Sequence, residues 1–245
     1  MFKTIFYEPI YNALVFLIDK IPGGNIGLAI IILTLIIKFI LLPLHRKAIV
    51  SQIKLKQLEP KINEIKEKYT DKQEQAAKTF ELYKQEKINP LSGCLPIIIQ
   101  LPIIIALYQV FLHGFDFSNT EHLYSFVKIP EKVQSMFLGF DLNAKSIFLS
   151  VLAGVTQFFQ IHLSVSAKAL KNVKDDGSMQ SAMTNMMGKQ MKYVMPVFVA
   201  FISYQISGAI ALYWAVNNIF TTVQEVVINK KMAKDKDKVK AEIIN

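Results

Sequence analysis

A single cysteine, Cys94, stands in the 245 residues, which excludes an intrachain disulfide and a metal site built on two thiolates. It reads as a packing residue. Histidine is almost as scarce. His45, His113, His122 and His162 lie far apart, at no spacing that gathers a metal cluster or a Ser/His/Asp grouping. No nucleotide or metal motif is present, so no cofactor is expected. Acidic side chains are outnumbered by basic ones, 19 to 28, leaving a net charge of +9 that first suggests nucleic acid. The basic residues, however, flank apolar runs instead of interleaving with base-stacking aromatics, so direct nucleic-acid binding is not expected. Anionic lipid and positive-inside topology account for them better. The first residues, MFKTIFYEPIYNALVFLIDKIPGGN, lack a basic region followed by a clean apolar core and a small-residue cleavage site. Nothing marks them for removal.

What the chain has in abundance is hydrocarbon. Hydrophobic residues make up 52% of it and its mean hydropathy is positive, which places it among polytopic membrane proteins. The run Ile26 to Leu44, IGLAIIILTLIIKFILLPL, is long enough at about 1.5 Å per residue to span the roughly 30 Å hydrocarbon core. Yet it carries Lys38. A cation at the centre of a membrane helix costs roughly 2.5 to 3.5 kcal/mol on insertion scales. Two readings follow: the ammonium snorkels to the nearer headgroups along its own stem, or it faces a bundle interior or watery cavity. Thr34, four residues earlier, shares its helix face and extends a polar stripe. The polar groups of the other spans favour the cavity.

Taken in order, residues 1–25 read as an N-terminal helix lying in the interface, with Ile10, Leu14, Leu17 and Ile18 at helical spacing. A further span is the competing reading, and the run is short for it. Pro22, Gly23 and Gly24 turn the chain into the first span, 26–44. Residues 45–92 hold eleven Lys or Arg and seven Asp or Glu. Apolar residues from Ile49 to Tyr69, then Ala76, Phe80 and Tyr83, predict a charged helical hairpin kinked near Pro60 and turning at Thr70 and Asp71; the alternative is a solvated linker. Residues 93–228 read as four more spans, at about 94–112, 147–163, 193–207 and 209–228, the last pair joined near Ser207 and Gly208. The third of the five carries Thr156, Gln157 and Gln160. The last carries Trp214, Asn218, Thr221 and Glu225 at offsets of 4, 3 and 4, with Asn217 beside them. These polar residues either glue helices together or line a hydrated recess. Residues 229–245 form a Lys-rich tail, expected to be disordered.

The lysines orient the chain. With five spans and the first polar loop inside, the inside segments hold 22 Lys or Arg and the outside ones five. The positive-inside rule then puts the N-terminus outside and the C-terminus in the cytoplasm.

The stretch Asn89 to Phe111, NPLSGCLPIIIQLPIIIALYQVF, resembles the signature of the YidC, Oxa and Albino group of membrane protein insertases. Supporting matches are TLIIKFILLPL, the basic hairpin, MKYVMPVF from Met191 to Phe198 and ALYWAVNN from Ala211 to Asn218. The resemblance covers almost the whole chain. It implies an all-α fold of five transmembrane helices around a hydrophilic groove, open to the cytoplasm and sideways to lipid but closed to the outside. It also implies location in a bacterial plasma membrane and no enzymatic chemistry. Family members usually carry arginine at the place of Lys38. Lysine keeps the charge but lacks the planar fork that holds a carboxylate with two hydrogen bonds.

On this reading nascent membrane proteins are the substrates, and the groove is lined by Lys38, Thr34, Gln100, Gln157, Gln160, Trp214, Asn217 and Asn218. The implied partners are the Sec translocon, the ribosome and the signal-recognition-particle receptor, with the lipid bilayer around all of them. The chain is then expected to be a short bacterial form, without the large external domain and lipid-attachment cysteine of some members. A small transporter or channel using Lys38 as an anion site is the alternative from another class. It would predict an internal repeat, and none is visible. An enzyme acting on lipid is a further alternative, without a catalytic grouping to support it.

Overall fold

The computed structural model describes residues 1–89, 95–112, 115, 117, 121–164 and 190–244, and of residues 96, 97 and 233–244 only the backbone. Cys94, His113 and most of the polar loop between Ser164 and Lys192 lie outside the described residues.

Eight α-helices are seen among these residues: α1 (Glu8–Lys20), α2 (Ile26–Gln57), α3 (Glu59–Lys68), α4 (Lys72–Gln85), α5 (Leu95–Leu112), α6 (Ile147–Leu163), α7 (Met195–Ile206) and α8 (Gly208–Ile244). Helix α2 starts where Gly23 and Gly24 turn through positive φ and the Asn25 side chain accepts a hydrogen bond from the Leu28 amide at 3.1 Å. It does not stop at Leu44. At 32 residues it runs about 48 Å, so the first apolar run and the start of the charged segment are one rod. Pro43 removes one helical donor without ending the helix. Beyond it Ile49 and Ile53 pack against Ile228 and Met232 of α8.

The chain breaks at Leu58. Helix α3 then begins with Pro60 in its first turn, where a missing N–H costs nothing. Lys61 pairs with Glu86 at 2.6 Å, and the Gln75 side chain donates to the carbonyls of Lys66 at 3.1 Å and Tyr69 at 2.6 Å. Partners that converge from opposite ends of the sequence set α3 and α4 antiparallel. Their seam is more polar than the spacing predicts, since Ala76 and Phe80 are exposed and Tyr83 is half-buried.

Helix α6 packs against both α7 and α8, and α8 packs against α2. Gly154 lets α6 approach α7 closely: a Cβ there would lie 2.9 Å from the Ala200 Cβ and from the Pro196 carbonyl oxygen. Between α7 and α8 the chain turns at Ser207, which is in extended backbone.

The fold is mostly helical, and to it Met136–Phe137 and Phe140–Asp141 add a two-stranded antiparallel ribbon, β1 and β2. Leu138 and Gly139, both at positive φ, make the two-residue turn that such a ribbon favours. One expectation needs correction: the tail is not disordered. Residues from 229 onward continue α8 to Ile244, because Lys, Ala and Glu propagate a helix and neither Gly nor Pro interrupts it.

The segment 121–146 caps one end of the bundle. Its carbonyls accept from the first amides of two helices: Gln134 from Ile26 at 3.1 Å, Ala144 from Gly208 at 2.8 Å and Leu142 from Ala209 at 3.0 Å. Donors that a helix start leaves orphaned are thereby satisfied. Gly27 sits against the Phe137 ring, with no room for a side chain. Asn12 holds α1 to the same cap, donating to the His122 carbonyl at 2.7 Å and accepting from the Tyr124 amide at 2.7 Å.

The apolar residues are arranged on two surfaces. Inside the capped half, Leu14, Ile18, Ile26, Ile30, Leu107, Leu142 and Ile210 are almost fully buried. Outside, Ile32, Ile36, Phe39 and Ile40 of α2, Ile98, Leu101 and Ile105 of α5, and Val151, Val155 and Phe159 of α6 are exposed at helical spacing. Val197 and Phe201 of α7 and Ile219, Val223 and Val227 of α8 continue the belt. A belt of large hydrophobes facing out is the pattern of a protein whose solvent is lipid.

Candidate functional site

A group of polar side chains, some buried and some half-buried, gathers in the half of the bundle away from the cap. Helix α2 supplies Lys38 and, seven residues on and so on the same face, His45. Helix α8 supplies Asn217, Asn218, Thr221, Gln224 and Glu225, and α6 supplies Thr156, Gln157 and Gln160 across from them.

Lys38 is the pivot. Its side chain does not run out to a headgroup layer: the residue is 4% exposed, and Nζ donates to Thr221 Oγ1 at 2.9 Å. Thr221 Oγ1 in turn donates to the Asn217 carbonyl at 2.8 Å, so the hydroxyl is held by its own helix while it receives the ammonium. One turn further along the same face of α8 is Glu225, 8% exposed. Gln160 donates to Glu225 Oε1 at 3.4 Å and accepts from Gln157 at 3.2 Å. Asn217 donates to Asn218 Oδ1 at 3.4 Å, and Asn218 donates to Thr156 Oγ1 and to the Ala153 carbonyl, both at 3.3 Å. Side chains that are 65 or 183 positions apart in sequence thus form one polar layer across α2, α6 and α8.

The other residues singled out by sequence stand apart from that layer. Thr34 is buried one turn nearer the cap, and its hydroxyl donates to the Ile30 carbonyl of its own helix at 2.6 Å. Gln100 donates to the Tyr213 hydroxyl, a contact between α5 and the apolar half of α8. Trp214 is half-buried and packs against the apolar core.

His45 and Gln224 were not among the candidates from sequence, nor was Glu225 matched to Lys38. The seven-residue step from Lys38 to His45 was a usable signal. Reading the four histidines as isolated concealed it. Among the described residues Asn217 Oδ1 is buried with no hydrogen-bond partner, and the buried His45 imidazole and Gln224 amide are polar neighbours of each other. Such groups are costly when left dry.

A family model described as 60Kd inner membrane protein matches residues 17–236, the whole of this layer included. The chain belongs to the YidC family of membrane protein insertases. It is 33% identical over 240 residues to a membrane protein insertase YidC of Oceanobacillus iheyensis, covering 95% of this chain and 85% of that one. To a membrane protein insertase YidC of Fusobacterium nucleatum it is 36% identical over 211 residues, covering 86% and 89%. A solved structure, an active YidC insertase with its first transmembrane domain resolved, superimposes with a TM-score of 0.56 at 26% identity. That match covers 91% of this chain and 45% of the solved one. Family membership places the chain among bacterial inner-membrane proteins that act on membrane-protein substrates in the bilayer.

Proposed function

We propose that the chain inserts membrane proteins by lowering the barrier that a polar segment meets in hydrocarbon. The observation that carries this reading is the polar layer around Lys38, set in the uncapped half of a bundle whose outer surface is apolar. A buried amide oxygen without a partner among the described residues, Asn217 Oδ1, calls for a polar group from outside the chain, either water or substrate. A groove hydrated on one side leaves a client's short polar segment only part of the bilayer to cross. The apolar helix that follows then leaves sideways into lipid, where burial of its hydrocarbon surface drives completion.

Thr34, Gln100, Gln157, Gln160, Trp214, Asn217 and Asn218 are the proposed lining with Lys38; hydrogen bonds of Gln157, Gln160, Asn217 and Asn218 with one another and with α6 and α8 support their share of it. The capped end faces outside, and the basic helices α3 and α4 with the end of α8 face the cytoplasm. This is the side on which ribosome, signal-recognition-particle receptor and Sec translocon would be met.

The test is reconstitution into nucleotide-free liposomes with a single-span client bearing one acidic residue in its short translocated tail. Protease protection of that tail reads insertion. Lys38→Arg is expected to stay active, Lys38→Ala to be impaired and Lys38→Glu to be worst, because a point charge in a low-dielectric site attracts a carboxylate more strongly than it does in water. Equal insertion by the Glu and wild-type chains would refute attraction at this site. Transport of a small solute in place of client protection would favour a transporter instead.

A further inference from the structure

Glu225 is not explained by a lining role. A carboxylate that is 8% exposed needs an opposite charge close by, as does an ammonium that is 4% exposed. The packing of α2 on α8 sets the two on facing surfaces of these helices, joined through Thr221. Thr221, which accepts from Lys38 Nζ at 2.9 Å, is four residues before Glu225, so the carboxylate lies on the same face of α8 one turn along. Gln160 steadies it from α6 through Oε1 at 3.4 Å. An ammonium has three donors, and Thr221 takes one.

We infer that Glu225 is the resident counter-ion of Lys38 and thereby the residue that sets which client charges the groove prefers. This rests on the insertase reading and deepens it. With the pair intact the layer carries no net charge from these two groups. A carboxylate in the translocated segment must exchange with Glu225 for the ammonium, while a neutral polar segment passes without that competition. Glu225 is therefore a brake on acidic clients, and the preferred substrate class is a polar segment with few acids. Freed from its partner during exchange, Glu225 is also available to a client lysine.

The experiment uses the full chain in liposomes and three clients identical except for one tail residue: Asp, Asn or Lys. The readout is the ratio of initial insertion rates. Glu225→Gln, which keeps the shape and removes the charge, is expected to raise the Asp-to-Asn ratio about fivefold and to lower the Lys-to-Asn ratio, the size of a moderate ion pair. Glu225→Asp is expected to keep both ratios near wild type. An Asp-to-Asn ratio that stays unchanged or falls in Glu225→Gln, or identical behaviour of the Gln and Asp variants, overturns the inference. Pairing is also read without any client, by thermal unfolding in detergent. Lys38→Ala should destabilise the wild-type chain more than the Glu225→Gln chain. Additive effects would overturn the pair even where insertion is normal. Failure of the wild-type chain to protect any client beyond protein-free liposomes would overturn the insertase reading and leave the unfolding cycle as the judge of the pair.

Discussion

At the scale of single residues, the most constrained polar group outside the candidate site is Asn12. Its carboxamide donates to the carbonyls of Glu8 at 2.8 Å and His122 at 2.7 Å and accepts from the Tyr124 amide at 2.7 Å, while the residue is 2% exposed. Three bonds from one buried side chain to backbone make it the pin between α1 and the cap. Asn12→Ala leaves a buried carbonyl and a buried amide unsatisfied, and should cost about 2 to 3 kcal/mol. Equilibrium unfolding in detergent measures it, and a change below about 0.5 kcal/mol would show that the cap holds α1 by apolar contact alone. Sequence showed the apolar stripe of α1 from Ile10 to Ile18 but could not show this pin. Asn12 and Tyr124 are 112 positions apart, and no local pattern relates them.

Between elements, the contact of α6 with α7 depends on one missing side chain. A Cβ at Gly154 would press on Ala200 and on the Pro196 carbonyl, neither of which can move without shifting a helix. Gly154→Val should therefore force the helices apart at about 1 to 3 kcal/mol, read as a lowered midpoint of thermal unfolding. The opposite expectation holds for the charged hairpin. Its Lys61–Glu86 pair is exposed, so Lys61→Ala should change stability by less than about 1 kcal/mol and the change should shrink further in high salt. The positions of α5 and α6 were legible because long apolar runs set off by polar loops admit little else in lipid. The length of α2 was not. A change from apolar to charged residues at Leu44 looks like an end in sequence, yet the backbone carries the helix on for 13 residues beyond it.

For the molecule as a whole, polarity runs along the bundle axis. The capped half is filled by Leu, Ile and Ala side chains, and the other half carries the buried lysine and its partners. The charged hairpin joins this body through the break at Leu58, and the side-chain hydrogen bonds of Lys61 and Gln75 stay within it. Deleting residues 59–88 and bridging the gap with a short Gly/Ser linker should leave the unfolding midpoint of the bundle within a few degrees of the intact chain. With the hairpin on the proposed cytoplasmic side, where the ribosome would be met, the same deletion should reduce client insertion from ribosome-bound chains. A collapse of the midpoint would mean that the hairpin is part of the bundle's fold.

Hydropathy alone determined that this chain belongs in a membrane, because 52% hydrophobic residues collected into long runs have no other favourable solvent. Charge counts suggested its orientation, and the cost of Lys38 in hydrocarbon marked where function should be sought. Only the tertiary structure decided what Lys38 meets. Thr221 lies 183 positions away, and the face of α8 that turns toward α2 is set by helix packing, which no spacing within either helix encodes. The same packing separates candidates that sequence treated alike, taking Gln157, Gln160, Asn217 and Asn218 into the layer of Lys38 and leaving Gln100 with Tyr213.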